Sequence, residues 1–291
     1  MSVKTEREID AHTGVETTGH VWDGIKELNK PLPRWWVWTF YVTIVWSIGY
    51  WIVYPAWPTL DGYTKGIWGY SQRAVVKSEG DAARAAQARL RDAIARTPLP
   101  EIRRDADLLR FATAAGNAAF QANCAACHGR GAQGFVGYPN LNDDDWLWGG
   151  SIEEIYKTIL HGIRSDHKEA HASTMPRYGL DKLLTETEID DVAEYVLSLS
   201  TPRSEPGRVA AGAKIFADQC ASCHGADGKG LKEQGSANLT DGIWLYGGSK
   251  VQVVESIRTG RGGAMPGWAG RLDGVTLKSL AVHVHSLGGG K

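Results

Sequence analysis

All four cysteines of the chain lie in two copies of one short motif, Cys124-Ala-Ala-Cys127-His128 and Cys220-Ala-Ser-Cys223-His224. In a Cys-x-x-Cys-His motif the two thiols can add across the vinyl groups of a haem. The adjacent histidine then lies beneath the ring, where its imidazole can bind the iron. We therefore interpret both motifs as attachment sites for covalent haem c, and two haems on one chain indicate electron transfer.

Other uses of these cysteines fit the spacing less well. A Cys-x-x-Cys pair can also form a zinc half-site or a redox dithiol. A zinc ribbon places its two pairs roughly 15–20 residues apart, whereas here the first cysteines of the pairs stand at positions 124 and 220, and His-Gly follows each pair. The spacing favours haem over zinc and leaves no cysteine for a disulfide.

Each iron also needs a ligand opposite its histidine, and methionine is the main candidate. Apart from Met1 the chain has only Met175 and Met265, each followed by proline in an equivalent loop. Histidine with methionine raises the potential of a haem. The assignment in chain order pairs His128 with Met175 and His224 with Met265, but the spacing also permits an exchange between the two units.

Histidines near the first Met-Pro loop offer an alternative ligand. His161, His167 and His171 lie in this loop, whereas the loop of the second unit is shorter and lacks them. One of them in place of Met175 would give a bis-histidine haem of lower potential. We expect them instead to form a solvated polar loop.

Residues around the axial positions also suggest roles. The free ring nitrogen of a metal-binding histidine usually donates to a carbonyl, which fixes the ring. We expect the carbonyl of Pro139 to accept in the first unit and that of Ala237, the aligned residue, in the second. Trp146 and Trp244 also align, and either could contact haem, donate to a propionate or simply pack in the core.

An internal repeat underlies the two motifs. The aligned segments are 117–129 with 213–225, 140–150 with 238–248, and 189–199 with 277–287. Each unit reads as a helix, the haem motif, a loop, a short helix, the Met-Pro loop and a final helix. This order resembles the class I cytochrome c fold, and residues 202–207 mark the boundary between the units.

A run without charged residues extends from Trp35 to Leu60. Its first 20 residues, Trp35 to Tyr54, are long enough to cross a bilayer as a helix, with aromatic residues at both ends. The flanking Lys and Arg residues indicate orientation only weakly. Because bacteria attach haem c on the periplasmic face, we expect a single span in the inner membrane with a cytoplasmic N-terminus and periplasmic haem domains.

The predicted fold is therefore mainly α, with one N-terminal transmembrane helix followed by two tandem class I cytochrome c domains. Within the N-terminal piece, residues 20–33 suggest a short interfacial helix, and residues 1–18 could be a disordered tail. The five predicted segments are a cytoplasmic segment 1–33, a transmembrane helix 34–57, a periplasmic helical linker 58–107, cytochrome c domain 1 at 108–201 and cytochrome c domain 2 at 205–288.

Charge is uneven along the chain. The overall net charge of −1 gives no basic field for nucleic acid. Residues 105–200 contain 7 basic and 15 acidic residues, and residues 205–291 contain 10 and 7. One hypothesis is that the acidic first unit attracts a basic soluble cytochrome c by electrostatic steering. The alternative is a merely solvated surface.

The chain as a whole resembles the membrane-anchored di-haem subunit of cbb3-type cytochrome c oxidase. The resemblance is carried by segments 22–36, 54–58 and 69–73 together with the haem motifs. It implies electron transfer from a soluble or membrane cytochrome c donor towards the mono-haem cytochrome c subunit and the haem–copper catalytic subunit. It also implies exchanged ligands, with Met175 on the second haem and Met265 on the first.

The resemblance further implies a subunit that is not catalytic by itself. The membrane run contains no histidine, so it cannot hold a buried haem–copper centre. Two alternatives remain: the cytochrome subunit of another periplasmic complex, such as a quinoprotein dehydrogenase, and a di-haem peroxidase. A peroxidase needs an open or displaceable iron position, whereas here each histidine has a candidate methionine.

Overall fold

The computed structural model describes residues 3–4, 7–202 and 205–288 and is mainly helical. It divides into two compact units, residues 1–85 and 86–291. The first unit contains two small sheets and a long apolar helix. The second contains both haem motifs.

The N-terminal part of the first unit is an antiparallel sheet of strands β1 (Val3–Lys4), β2 (Thr17–Trp22) and β3 (Ile25–Leu28). Asp23 and Gly24 join β2 to β3, and both have positive φ angles, of 49° and 85°. Positive φ at both central residues is typical of the type I′ turn that closes two-residue hairpins. The predicted interfacial helix over residues 20–33 is therefore wrong.

Helix α1 (Arg34–Val53) follows the sheet. Its 20 residues extend about 30 Å, the thickness of the hydrocarbon layer. None of its side chains is buried within the protein, and within the described ranges it is the one helix long and apolar enough to cross a membrane. A small hairpin of β4 (Pro58–Thr59) and β5 (Gly62–Tyr63) comes next.

The remaining helices begin with α2 (Gln72–Arg96) and α3 (Leu99–Ile102). The first repeat then forms α4 (Ala106–Asn123), α5 (Ala125–His128), α6 (Ile152–His161) and α7 (Glu186–Ser198). The second forms α8 (Pro206–Gln219), α9 (Ala221–His224), a 3₁₀ turn (Lys232–Gln234), α10 (Lys250–Thr259) and α11 (Gly274–His285). Capping boxes begin α6, α7 and α10 and satisfy their first free backbone amides.

Packing of the helices does not follow chain order. Helix α11, the last of the second repeat, packs against α4 and α6 of the first. Helix α7, the last of the first repeat, packs against α8 and α10 of the second. Phe120 and Leu280 accordingly share one buried core, while Val192 and Phe216 share another. Each core thus takes its final helix from the other repeat.

Two glycines allow these crossings. A Cβ atom on Gly116 of α4 would overlap the carbonyl oxygen of Ser279 in α11. A Cβ on Gly212 of α8 would in the same way overlap the carbonyl oxygen of Asp191 in α7. Only glycine permits backbones to approach this closely. The predicted succession of elements is present in both repeats, and each of the predicted ranges 108–201 and 205–288 contributes helices to both cores.

Candidate haem sites

Both haem motifs form a single helical turn directly after a longer helix. In the first motif, the Nδ1–H of His128 donates to the carbonyl of Pro139 at 3.1 Å. In the second, the Nδ1–H of His224 donates to the carbonyl of Ala237 at 3.0 Å. Both predicted carbonyl acceptors are confirmed. With Nδ1 engaged, Nε2 of each ring remains available to bind iron.

Burial sets the protonation states at the two motifs. It lowers the pKa of His128 and of His224 below the ordinary 6.5. Burial, with a smaller contribution from the second cysteine of each motif, raises the pKa of Cys124 and of Cys220 to about 11. The imidazoles are thus neutral at neutral pH, which is the form that binds a metal.

The second motif opens onto a cavity that matches a haem c in its chemistry. Cys220, Cys223, His224 and Met175 line this cavity, while Met265 does not. Aromatic and aliphatic side chains, including Trp244, form most of the remaining wall. Two thiols, an imidazole and a thioether therefore share one largely apolar cavity, the set of groups that a histidine–methionine haem c requires.

The first motif has the corresponding set of groups. Met265 and Cys124 both pack on the core that contains Phe120. Trp146 packs on the same core, and its buried indole Nε1–H has no hydrogen-bond partner among the described residues. Buried donors are rarely left unpaired. A haem propionate would supply the missing acceptor, so the first site also fits a haem.

The two Met-Pro loops cross between the repeats. Met265 and Ile163 exchange two backbone hydrogen bonds, each 2.9 Å long. The amide of Met175 donates to the carbonyl of Arg261 at 3.0 Å. Each methionine is thus held by a loop of the other repeat. The roles of Ile163 and Arg261 in holding the methionines were not predicted from the sequence. The extra length of the first loop was the only sequence feature that pointed to them.

The three histidines have partners of their own, and His161 is the last residue of α6 and not part of the loop as predicted. His161 Nε2 lies 3.3 Å from a carboxylate oxygen of Glu169. His167 Nδ1 accepts the Glu169 amide at 3.1 Å and lines a separate cleft that Met265 also lines. His171 stacks on Trp148, with ring centroids 4.1 Å apart. None of the three lines the cavity of the second motif.

The fold and the two sites define a class of protein: a membrane-anchored cytochrome with two c-type haem domains. Comparison with known families is more specific. Residues 14–61 match the N-terminal domain of cytochrome oxidase-cbb3, FixP. Residues 113–200 match cytochrome c, and residues 207–284 match cytochrome c oxidase, cbb3-type, subunit III.

Relatives of known family match the full chain. A cbb3-type cytochrome c oxidase subunit FixP from Bradyrhizobium sp. (strain ORS 278) is 55% identical over 285 residues, which cover 98% of both chains. A subunit CcoP from Cereibacter sphaeroides is 52% identical over 292 residues, covering 100% of both. A subunit FixP from Azorhizobium caulinodans is 51% identical over 286 residues, covering 97% of this chain and 96% of the relative.

The chain therefore belongs to the FixP/CcoP family of cbb3-type cytochrome c oxidase subunits. The resemblance inferred from the sequence, the mainly α fold class and the two haem c groups are confirmed. The chain is a membrane-anchored electron-transfer subunit.

Proposed function

We propose that this subunit carries electrons from a soluble or membrane cytochrome c donor to the mono-haem cytochrome c subunit, and thence to the haem–copper catalytic subunit, of a cbb3-type oxidase. The observation that carries the proposal is the pair of apolar sites, each with a Cys-x-x-Cys-His turn and one methionine. The names of the full-length relatives support the assignment to this oxidase. The match of residues 14–61 argues against a dehydrogenase cytochrome.

The protein lies in the bacterial inner membrane as a single-pass subunit. Helix α1 spans the lipid, the N-terminus is cytoplasmic, and both haem domains are periplasmic, where haem c is attached. Protease treatment of intact spheroplasts tests this orientation. The haem domains should be cleaved from outside while an N-terminal tag stays protected, and protection of the haem domains would contradict it.

The ligands are exchanged between the repeats. Cys124 and Cys127 would bind the first haem covalently, and His128 and Met265 would hold its iron. Cys220 and Cys223 would bind the second haem covalently, and His224 and Met175 would hold its iron. Support comes from Met175 lining the cavity of the second motif and Met265 packing with Cys124.

Bound haem would supply iron for the transfer of single electrons. The residues of the chain tune this iron and protect it. The carbonyls of Pro139 and Ala237 fix the two imidazole rings through their Nδ1–H groups. The Met-Pro loops, which are hydrogen-bonded between the repeats, hold the two methionines. The apolar walls of the sites exclude water. Methionine ligation and a low dielectric favour the ferrous state, which suits delivery to a strong oxidant.

Pairs of ligand variants test the exchange. Each ferric haem with methionine bound contributes a charge-transfer band, and His128→Gly should remove the contribution of the first haem. Adding Met265→Ala should then remove nothing further, because both changes affect one iron. Adding Met175→Ala should remove the remaining band. The opposite pattern would show ligation in chain order, since groups acting on the same site are non-additive.

The same preparation tests the peroxidase alternative. The wild-type ferric chain should show the methionine band from both haems and no peroxide turnover. A high-spin haem with peroxidase activity would contradict the proposed function. Purification of the complex from membranes should yield this chain together with a mono-haem cytochrome and a haem–copper subunit.

A further inference from the structure

One arginine side chain contacts both Met-Pro loops. The Nε–H of Arg164 donates to the carbonyl of Gly263 at 2.6 Å, and its Nη1 donates to the carbonyl of Ser173. Gly263 stands two residues before Met265, and Ser173 stands two residues before Met175. The guanidinium thus bonds the equivalent backbone position ahead of each methionine.

The backbone around Arg164 is also fixed. Its φ angle is +49°, a left-handed conformation uncommon for a residue with a side chain. Its amide donates to the carbonyl of His171 at 2.6 Å, and the preceding Ile163 pairs with Met265. These bonds fix the backbone from which the Arg164 side chain extends, between the two loops.

The guanidinium of Arg164 is half-buried, and its hydrogen-bond partners among the described residues are the carbonyls of the two loops. A planar guanidinium presents several N–H groups in a fixed fork and can bond two carbonyls at once, whereas the single ammonium of a lysine has no such fork.

From this geometry we propose that Arg164 is a positioning residue for both axial methionines and links the stability of the two methionine–iron bonds. The inference rests on the proposed exchange of ligands. If the fork is lost, the chain before each methionine loses one charge-assisted hydrogen bond, and both loops open more easily. The positive charge near both sites also disfavours the ferric state of each haem.

Imidazole displacement tests the link in the full-length, detergent-solubilised chain carrying both haems. Imidazole binds a ferric haem only after methionine leaves, so its affinity reports how easily each loop opens. Arg164→Gln should increase imidazole affinity at least about tenfold at both haems, equivalent to about 1.4 kcal/mol for each. The two phases of the titration are assigned with Met175→Ala and Met265→Ala.

Two further variants separate position from charge. Arg164→Lys keeps the charge but not the fork, so imidazole affinity should still rise at both haems while the two reduction potentials fall less than in Arg164→Gln.

Arg261→Gln is the matched control. Arg261 lies over the ring of Tyr246 at 4.5 Å and bonds Ser256 at 3.0 Å, both in the second repeat. Its loss should affect the second haem alone.

The inference fails if Arg164→Gln changes imidazole affinity at neither haem or at only one. It also fails if Arg261→Gln affects both haems equally, since charge alone would then explain the result. Haem content and the midpoint of unfolding in guanidinium chloride check that each variant is folded. The ligand-pair experiment is independent, so a silent Arg164→Gln with exchanged ligation intact rejects only the role of Arg164.

Discussion

The ammonium of Lys250 lies 2.8 Å from a carboxylate oxygen of Glu194. Glu194 is only 3% exposed, and it belongs to α7 of the first repeat, whereas Lys250 begins α10 of the second. Lys250 also contacts Asp190 at 2.9 Å, and Arg208 of α8 forms a salt bridge with the same carboxylate. The acidic residues of α7 thus face basic residues of the other repeat.

This pairing changes the meaning of the charge contrast along the chain. In chain order, residues 105–200 are strongly acidic and residues 205–291 are basic. Grouped by packing, residues 105–172 with 265–288 contain 7 basic and 10 acidic residues, and residues 173–202 with 205–264 contain 9 and 12. Both groups have a net charge of −3. Formal charge therefore does not distinguish the two packed groups, and steering of a basic donor to the first repeat stays a prediction.

Loss of the Lys250 ammonium should weaken the second site. Lys250→Met leaves the Glu194 carboxylate buried without that ammonium, and breaking a fully buried pair costs about 3–5 kcal/mol. The Lys250 side chain is 36% exposed, so we expect about 2 kcal/mol after solvent screening. Guanidinium unfolding followed at the methionine–iron band measures the loss. The exposed Lys229–Asp227 pair provides the control, and an equal effect of Lys229→Met would contradict the expectation.

The crossing of α8 with α7 can be tested through Gly212. Gly212→Ala places a Cβ against the carbonyl oxygen of Asp191 and should destabilise the second site by about 1–3 kcal/mol, as overpacking typically does. Gly207→Ala is a matched control, because Gly207 lies in the same helix with open space around it. Denaturant unfolding should leave Gly207→Ala within about 0.5 kcal/mol of wild type or slightly stabilise it. Equal losses in both variants would show that α7 does not pack here.

Much of the fold could be predicted from local signals. The motif spacing, the repeat and the charge-free run indicate covalent haem, paired cytochrome units and a membrane helix because each depends on neighbouring residues. Helix exchange depends on contacts between distant segments, and the apolar periodicity of α7 and α11 fits either core. The acidic residues of α7 opposite Lys250 and Arg258 were the sequence signal for the exchange.

The N-terminal segment shows a different kind of error. Its prolines and polar residues suggested a short interfacial helix, but Asp23-Gly24 is a strong local hairpin signal. In the structure Trp22 pairs with Ile25 across this turn. Turn chemistry thus decided the local structure. The Arg164 bridge could not have been predicted, because no sequence pattern places one side chain between two loops that are 90 residues apart, at Ser173 and Gly263.

Raising the pH should destabilise the contact between the two repeats at Asp145. Burial, followed by the charges of Asp241 and Asp143, raises the pKa of Asp145 to about 6. Because the native pKa exceeds the unfolded value of 3.8, the stability that Asp145 contributes is present below about pH 4 and is lost as the pH rises through 6. Asp145→Asn should remove this dependence and be more stable than wild type at pH 7.

Unfolding midpoints at pH 4.5 and pH 7 measure the effect of Asp145→Asn. Asp144→Asn is the control, because Asp144 is the exposed neighbour and carries the same charge. We expect Asp144→Asn to keep most of the wild-type dependence on pH. If Asp145→Asn were no more stable than wild type at pH 7, burial and the neighbouring carboxylates would not disfavour a charged Asp145 in the folded protein.

Acid should destabilise the first core through His283. The ring of His283 is buried at 7% exposure in α11, lies edge-on to Phe120 at 5.5 Å, and has an Nδ1 without a hydrogen-bond partner among the described residues. Burial lowers its pKa below 6.5. The unfolded chain therefore binds a proton near pH 6.5 that the folded core does not, and stability falls as the pH drops below 6.5.

His283→Leu should flatten this dependence in guanidinium unfolding between pH 7 and pH 5. Since Phe120 and α11 belong to the first core, the transition of the second site is an internal control, and an unchanged acid slope at the first site in His283→Leu would show that another group titrates.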